Sequence, residues 1–151
     1  MRGIASMILI MGAGLSACGG GASTGPVDPA VGVFVLTTVN GLSLPYVPPR
    51  AALSSYKGLT VTPADALVSD QYEIKADSTY SEHMTIRDSR FGNALRDYLE
   101  TGVWLRAGNQ LLLMIRTSPN SSGNYDFTLN GSTMVTSLES EELVTYTYQK
   151  R

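Results

Sequence analysis

Residues Leu67–Arg87, LVSDQYEIKADSTYSEHMTIR, decide the fold class. Val68, Tyr72 and Ile74 alternate with Ser69, Gln71, Glu73 and Lys75. Ala76-Asp77-Ser78 is turn chemistry. The rhythm then resumes, with Tyr80, Met84 and Ile86 on one face and Thr79, Ser81, His83, Thr85 and Arg87 on the other. A period of two held this long predicts two half-buried antiparallel strands, not a helix. Glu82 shares the apolar face of Tyr80, Met84 and Ile86, so it is expected to point inward. A carboxylate placed there needs a partner. Either it lies near a barrel mouth, or Arg106 or a tyrosine hydroxyl satisfies it. His83, the only imidazole, falls on the polar face.

The same grammar extends in both directions. Val31–Val39 is β-branched and aromatic and ends at Asn40-Gly41, a strand followed by a turn. Leu44-Pro45 and Pro48-Pro49 impose an irregular extended stretch, and Leu59–Thr62 can form a short strand. Downstream, residues 89–100 break the alternation. Asn93–Glu100 holds good helix formers, with Asn93 as a cap and Gly102 as a stop. Phe91, Leu95 and Leu99 recur every four residues. One or two helical turns, or an ordered loop, are expected there. Val103–Ala107 then meets Gln110–Thr117 across Gly108-Asn109, placing Trp104 and Arg106 on one face. Leu111–Ile115 is apolar on both faces. Cover by Phe91, Leu95 and Leu99 accounts for this, and a surface for a partner is the alternative. Tyr125–Leu129 meets Ser132–Ser137 across Asn130-Gly131, and Leu143–Gln149 closes the chain. About eight strands, each joined to its sequence neighbour, predict an all-β, up-and-down antiparallel barrel, because closure removes the exposed sheet edges.

The N-terminus has a different composition. Arg2, the apolar run Ile4–Leu15 and the small residues Ser16 and Ala17 read as an export signal over residues 1–17. The run is too short for a bilayer span, which needs about 20 apolar residues. Leu15-Ser16-Ala17-Cys18 resembles the bacterial lipobox. That resemblance implies cleavage before Cys18 and a lipid on its sulfur, hence attachment to the cell envelope. Gly19 in place of Asp resembles the signal that sends lipoproteins of diderm bacteria to the outer membrane. Residues 18–30, rich in Gly and Pro, read as a flexible tether of about 20 Å. Residues 31–151 form the domain.

A family resemblance covers nearly all of that domain. Phe34–Gly41 with Leu44-Pro45, Ile74–Tyr80, Gly102-Val103-Trp104 with Gly108–Leu111, and the ending Tyr146–Arg151 are similar, in this order and spacing, to small bacterial lipoproteins with lipocalin-like domains. The resemblance implies a meander barrel and no reaction.

Composition narrows the function. The chain of 151 residues carries a net charge of −2, with one Cys and one His. It offers no basic stripe for nucleic acid. It has too few Cys and His for an ordinary zinc site, and it cannot form an internal disulfide. No cofactor motif, nucleophile elbow or paired catalytic carboxylates are recognisable, so an enzyme is not expected. Glu139, Glu141 and Glu142 read as a solvated loop. Two functions remain. One is a membrane-anchored barrel that binds a small apolar or amphipathic ligand through Glu82, Tyr72, Tyr80, Trp104 and Arg106. The other is a structural or protein-interaction module of the envelope with a solid core.

Overall fold

The computed structural model describes residues 27–47, 64–117, 123–139 and 143–151. Cys18, the expected signal, the Leu59–Thr62 stretch, Glu141, Glu142 and the Glu139 side chain lie outside the described residues. Nine strands are present among these: β1 (Gly32–Val39), β2 (Leu42–Ser43), β3 (Ala66–Ile74), β4 (Thr79–Asp88), β5 (Ala94–Ala107), β6 (Gln110–Thr117), β7 (Asn124–Asn130), β8 (Thr133–Glu139) and β9 (Leu143–Lys150). β1 pairs with β3, and each strand from β3 to β8 pairs with the next, all antiparallel. β1 also pairs with β9, which closes an eight-stranded up-and-down barrel. β2 is a two-residue addition to β1 across Asn40-Gly41.

Alternation along each strand builds the core. Phe34 and Leu36, Tyr72 and Ile74, Tyr80, Met84 and Ile86, Leu111 and Leu113, Phe127 and Leu129, and Tyr146 and Tyr148 all face inward and are buried. Three register shifts interrupt the ladder, at Leu36/Thr38, Leu67/Ser69 and Thr101/Gly102. Such bulges bend and twist a sheet enough to close it. One of them corrects the expected face of Val68. The bulge makes Val68 the extra residue, so Leu67 and Asp70 are the buried ones instead.

The helical insertion expected at residues 89–100 is not a helix. Ser89–Phe91 makes one 3-10 turn, started by the Asp88 carboxylate accepting from Arg90 N. Gly92 and Asn93 then take left-handed φ values of 66° and 64°. From Ala94 the chain runs back along β4, with Asp88↔Ala94 through Thr79↔Val103 in register. Helix propensity in Asn93–Glu100 is a preference of tenths of a kcal/mol per residue. A ladder of cross-strand pairs outweighs it. Phe91, Leu95 and Leu99 are therefore exposed and do not cover β6. The outward residues Leu112 and Met114 are half-buried beside Leu105 and Val103 of β5.

The barrel has two unlike ends. The hairpin end carries the short turns Lys75–Ser78, Gly108–Asn109 and Gly131–Ser132 together with both termini of the described chain. The loop end carries the Ser89–Asn93 turn, the connection from Leu44 to Asp65, and the links between β6 and β7 and between β8 and β9. At the hairpin end the chain is held before β1 begins. Asp28 accepts from Ala30 N at 2.8 Å and from the Arg106 guanidinium at 2.7 Å. Lys150 Nζ donates to Pro29 O at 2.9 Å, and Ala30 is fully buried. The packed domain thus begins at Asp28, three positions before the expected boundary.

Candidate functional site

The lumen is aromatic and acidic. Tyr72 is its centre, reached by the bulge-corrected register of β3. Its ring meets those of Phe127 and Tyr148 edge-on, both at 5.3 Å between centroids, and that of Tyr80 at 6.1 Å. Phe127 and Tyr148 meet in turn at 5.9 Å. Edge-to-face contact at these separations is the favoured arrangement of aromatic pairs. Four rings from β3, β4, β7 and β9 thus span the interior.

Around them stand three buried carboxyl groups, Asp70, Glu82 and Glu100. Leu36, Tyr148 and Asp70 converge because β1 lies between β9 and β3. Tyr148 Oη donates to Asp70 Oδ2 at 2.7 Å. Glu82 of β4 lies directly across from Tyr72 on one side and Glu100 on the other. Directly opposed residues have Cβ atoms about 4.5–5.5 Å apart. Tyr80 Oη donates to Glu100 Oε1 at 2.8 Å. This contact crosses Gly102, where any Cβ would run into the Tyr80 ring and the Met114 carbonyl. Gly102 is thus the opening through which the phenol reaches its acid.

The acids act on the phenols. Burial first, then the charges of Asp70 and Glu82, hold Tyr148 well above the usual tyrosine value of 10.0. Burial and the hydrogen bond to Glu100 push Tyr80 up in the same way, with Glu100 and Glu82 adding charge repulsion. Glu82 bears on both phenols and so joins the two pairs into one network. Its tyrosines are fixed as hydrogen-bond donors at neutral pH. They are not proton acceptors, and no base–nucleophile pair arises from them.

The structure brings Tyr72, Tyr80 and Glu82 together as expected, and separates Trp104 and Arg106 from them. Trp104 packs at the hairpin end, donating Nε1–H to Lys75 O at 2.8 Å. Arg106 lies beyond it, paired with Asp28. It stands six residues along β5 from Glu100, about 20 Å at the usual strand rise. Arg106 is therefore an end clamp and not the partner of Glu82. His83 faces outward as expected, with Nε2 3.4 Å from Asp97 Oδ1. Among the described residues no three His, Cys, Asp or Glu side chains converge as a metal site requires.

Asp70, Glu100, Tyr146 and Tyr148 were missed as lumen residues. Asp70 has the parity of Tyr72, and Glu100 that of Gly102 and Trp104, so period-two counting would have placed both inside. The helix expected at Asn93–Glu100 hid the second.

Fold and lumen together define a class: a closed eight-stranded meander barrel with an aromatic, acidic interior. No family model, curated protein or solved structure matches the chain.

Proposed function

We propose that this chain is a lipid-anchored envelope protein whose barrel serves as a structural and protein-interaction module, not as a carrier of apolar molecules. The supporting observation is the span of Tyr72, Tyr80, Phe127 and Tyr148 across the lumen. An eight-stranded barrel has room either for its own side chains or for one small ligand. An apolar guest would also have to lie against the polar network of Asp70, Glu82 and Glu100 and their tyrosine donors. Interaction then falls to the outer wall, where Leu105 and Leu112 stand opposite each other beside Val103 and Met114. The anchor is lipid on Cys18, in the outer membrane of a diderm bacterium, as the lipobox resemblance implies. This reading assigns the protein no reaction, no cofactor and no nucleic-acid partner.

A photo-crosslinking residue placed at Leu105, in cells, tests it. A discrete protein adduct is expected there, and none from the same residue at the outward Thr145 of β9. Native mass spectrometry of the chain from detergent-solubilised membranes is expected to show no small molecule beyond the lipid anchor. A retained ligand would overturn the proposal. A second reading has the three inward carboxyl groups in its favour. Any ligand held there would carry a cationic or donor-rich group, and the same spectrum would reveal it.

A further inference from the structure

The mouth at the hairpin end is covered by a part of the chain that belongs to no strand. Asp28–Val31 is a turn, closed by Val31 N donating to Asp28 O at 2.9 Å. It precedes β1, yet Asp28 is held from β5. β5 is separated from β1 by β3 and β4 on one side and by four strands on the other. The turn therefore reaches across the mouth. Arg106 Nη1 donates to Asp28 Oδ1 at 2.7 Å from that far wall. Lys150 Nζ donates to Pro29 O at 2.9 Å from β9, beside β1. Between these two holds Ala30 is fully buried in the core, and Val31 packs against it. Trp104 is the next inward residue of β5 below Arg106, so turn and indole share one mouth.

What holds the turn differs in kind from what holds β1. β1 has ladders to β3 and β9 and buries Phe34, Leu36 and Val39. In the turn, the amides of Ala30 and Val31 both bond back to Asp28, so neither ties it to a strand. The one side chain it buries fully is a methyl group. Its polar ties among the described residues are the two basic side chains, and the Arg106–Asp28 pair keeps 25% and 37% of its side-chain surface in solvent. Such pairs hold less strongly than a buried ladder. A segment with few buried apolar contacts and water-exposed ties opens at far lower free energy than the fold around it.

We infer that Asp28–Val31 is a hinged plug for the hairpin-end mouth. It opens as a unit when Arg106 and Lys150 let go, and uncovers Trp104 while the barrel stays folded. Gly32, with a φ of 147°, joins plug to strand in a backbone setting that glycine adopts freely. Any load carried by the chain before Asp28 meets the two latches before it meets the ladders of β1. The inference holds whether or not Cys18 carries lipid, and whatever the outer wall binds.

Native-state hydrogen exchange of the full chain in detergent micelles, read by NMR, tests it. The amides of Ala30 and Val31 are expected to be equally protected, about tenfold or more below those of Phe34 and Leu36, and to exchange without dependence on urea below the unfolding transition. Arg106→Met and Lys150→Met are each expected to speed both turn amides about fivefold, the weight of one solvent-accessible bond to a charged group. Acrylamide quenching of Trp104, the single tryptophan, should rise in both variants. Turn amides that share the urea dependence of Phe34 and Leu36 would show that the plug unfolds only with the barrel. Turn amides that respond differently to the two substitutions would show that it does not move as a unit. Unchanged quenching of Trp104 would show that nothing opens over the indole. Each of these results overturns the inference.

Discussion

At the hairpin end the barrel is closed by its own covalent economy. Turns of two to four residues join the strands, Trp104 bonds to the Lys75 carbonyl, and Asp28 and Pro29 are held by Arg106 and Lys150. At the loop end three of the four connections are longer, from five to 22 residues, and the β4–β5 hairpin runs past the end of β6. There polar groups are satisfied locally, as at Asp88 with its two arginines, while apolar groups stay exposed. The difference teaches where this fold keeps its stability and where it keeps surface to spare. Short connections hold their ends in register at little entropic cost. Long ones leave room for residues that add nothing to the core.

The comparison is best challenged by substitutions graded along the barrel. Tyr72→Ala removes the ring on which three others pack. It is expected to cost about 3–5 kcal/mol, read as a lower urea midpoint, and to unfold the two ends together. A loop end that melted separately would show that the ends are independent. Trp104→Phe keeps much of the packing but removes the indole donor from the Lys75 carbonyl, which retains the longer bond from Ser78 N at 3.2 Å. A loss of about 1 kcal/mol is expected.

Asp88→Asn tests the loop end electrostatically. The Arg90 hydrogen bond lowers the Asp88 pKa most, against burial, and Arg96 lowers it further. A depressed folded-state pKa contributes stability above the ordinary carboxylate value and loses it as pH falls through the folded value. The variant should therefore melt below wild type at neutral pH, with the gap narrowing as pH falls below the ordinary carboxylate range. A gap unchanged by acid would mean that the two arginines are incidental. The smallest effect is expected at the rim. Leu143→Ser should change stability by less than about 0.5 kcal/mol, since most of that side chain is in solvent. A larger loss would mean that the rim belongs to the core.

The alkaline limb probes the layer between the ends. Tyr80 and Tyr148 have folded-state pKa values raised above 10. They contribute stability that is complete below 10 and declines as pH rises, because only the unfolded chain can ionise them there. A spectrophotometric titration should show these two phenols ionising only with unfolding.

Much of the fold was legible locally. Leu67–Arg87 announced its hairpin, and the spacing of turns announced a barrel. The misreadings arose where a local preference met a longer-range pairing. Asn93–Glu100 has helical composition but lies opposite β4, and the partner strand prevailed. Val68 has inward parity but sits in a bulge, and closure of the sheet prevailed. Arg106 shares the face of Trp104 as expected, yet a tilted strand carries it beyond the lumen to Asp28.

By itself the sequence determined most of the strands, the first half of β5 excepted, because period-two alternation is a property of neighbouring residues. It also determined the inward placing of Tyr72, Tyr80 and Glu82. Only the tertiary structure decided that β1 pairs with β9, that Asp70, Glu82 and Glu100 share one lumen, and that scattered apolar residues ring one end. Those facts depend on the shear of a closed sheet, which sets the height of every residue against strands far away in the chain. No local pattern encodes that height.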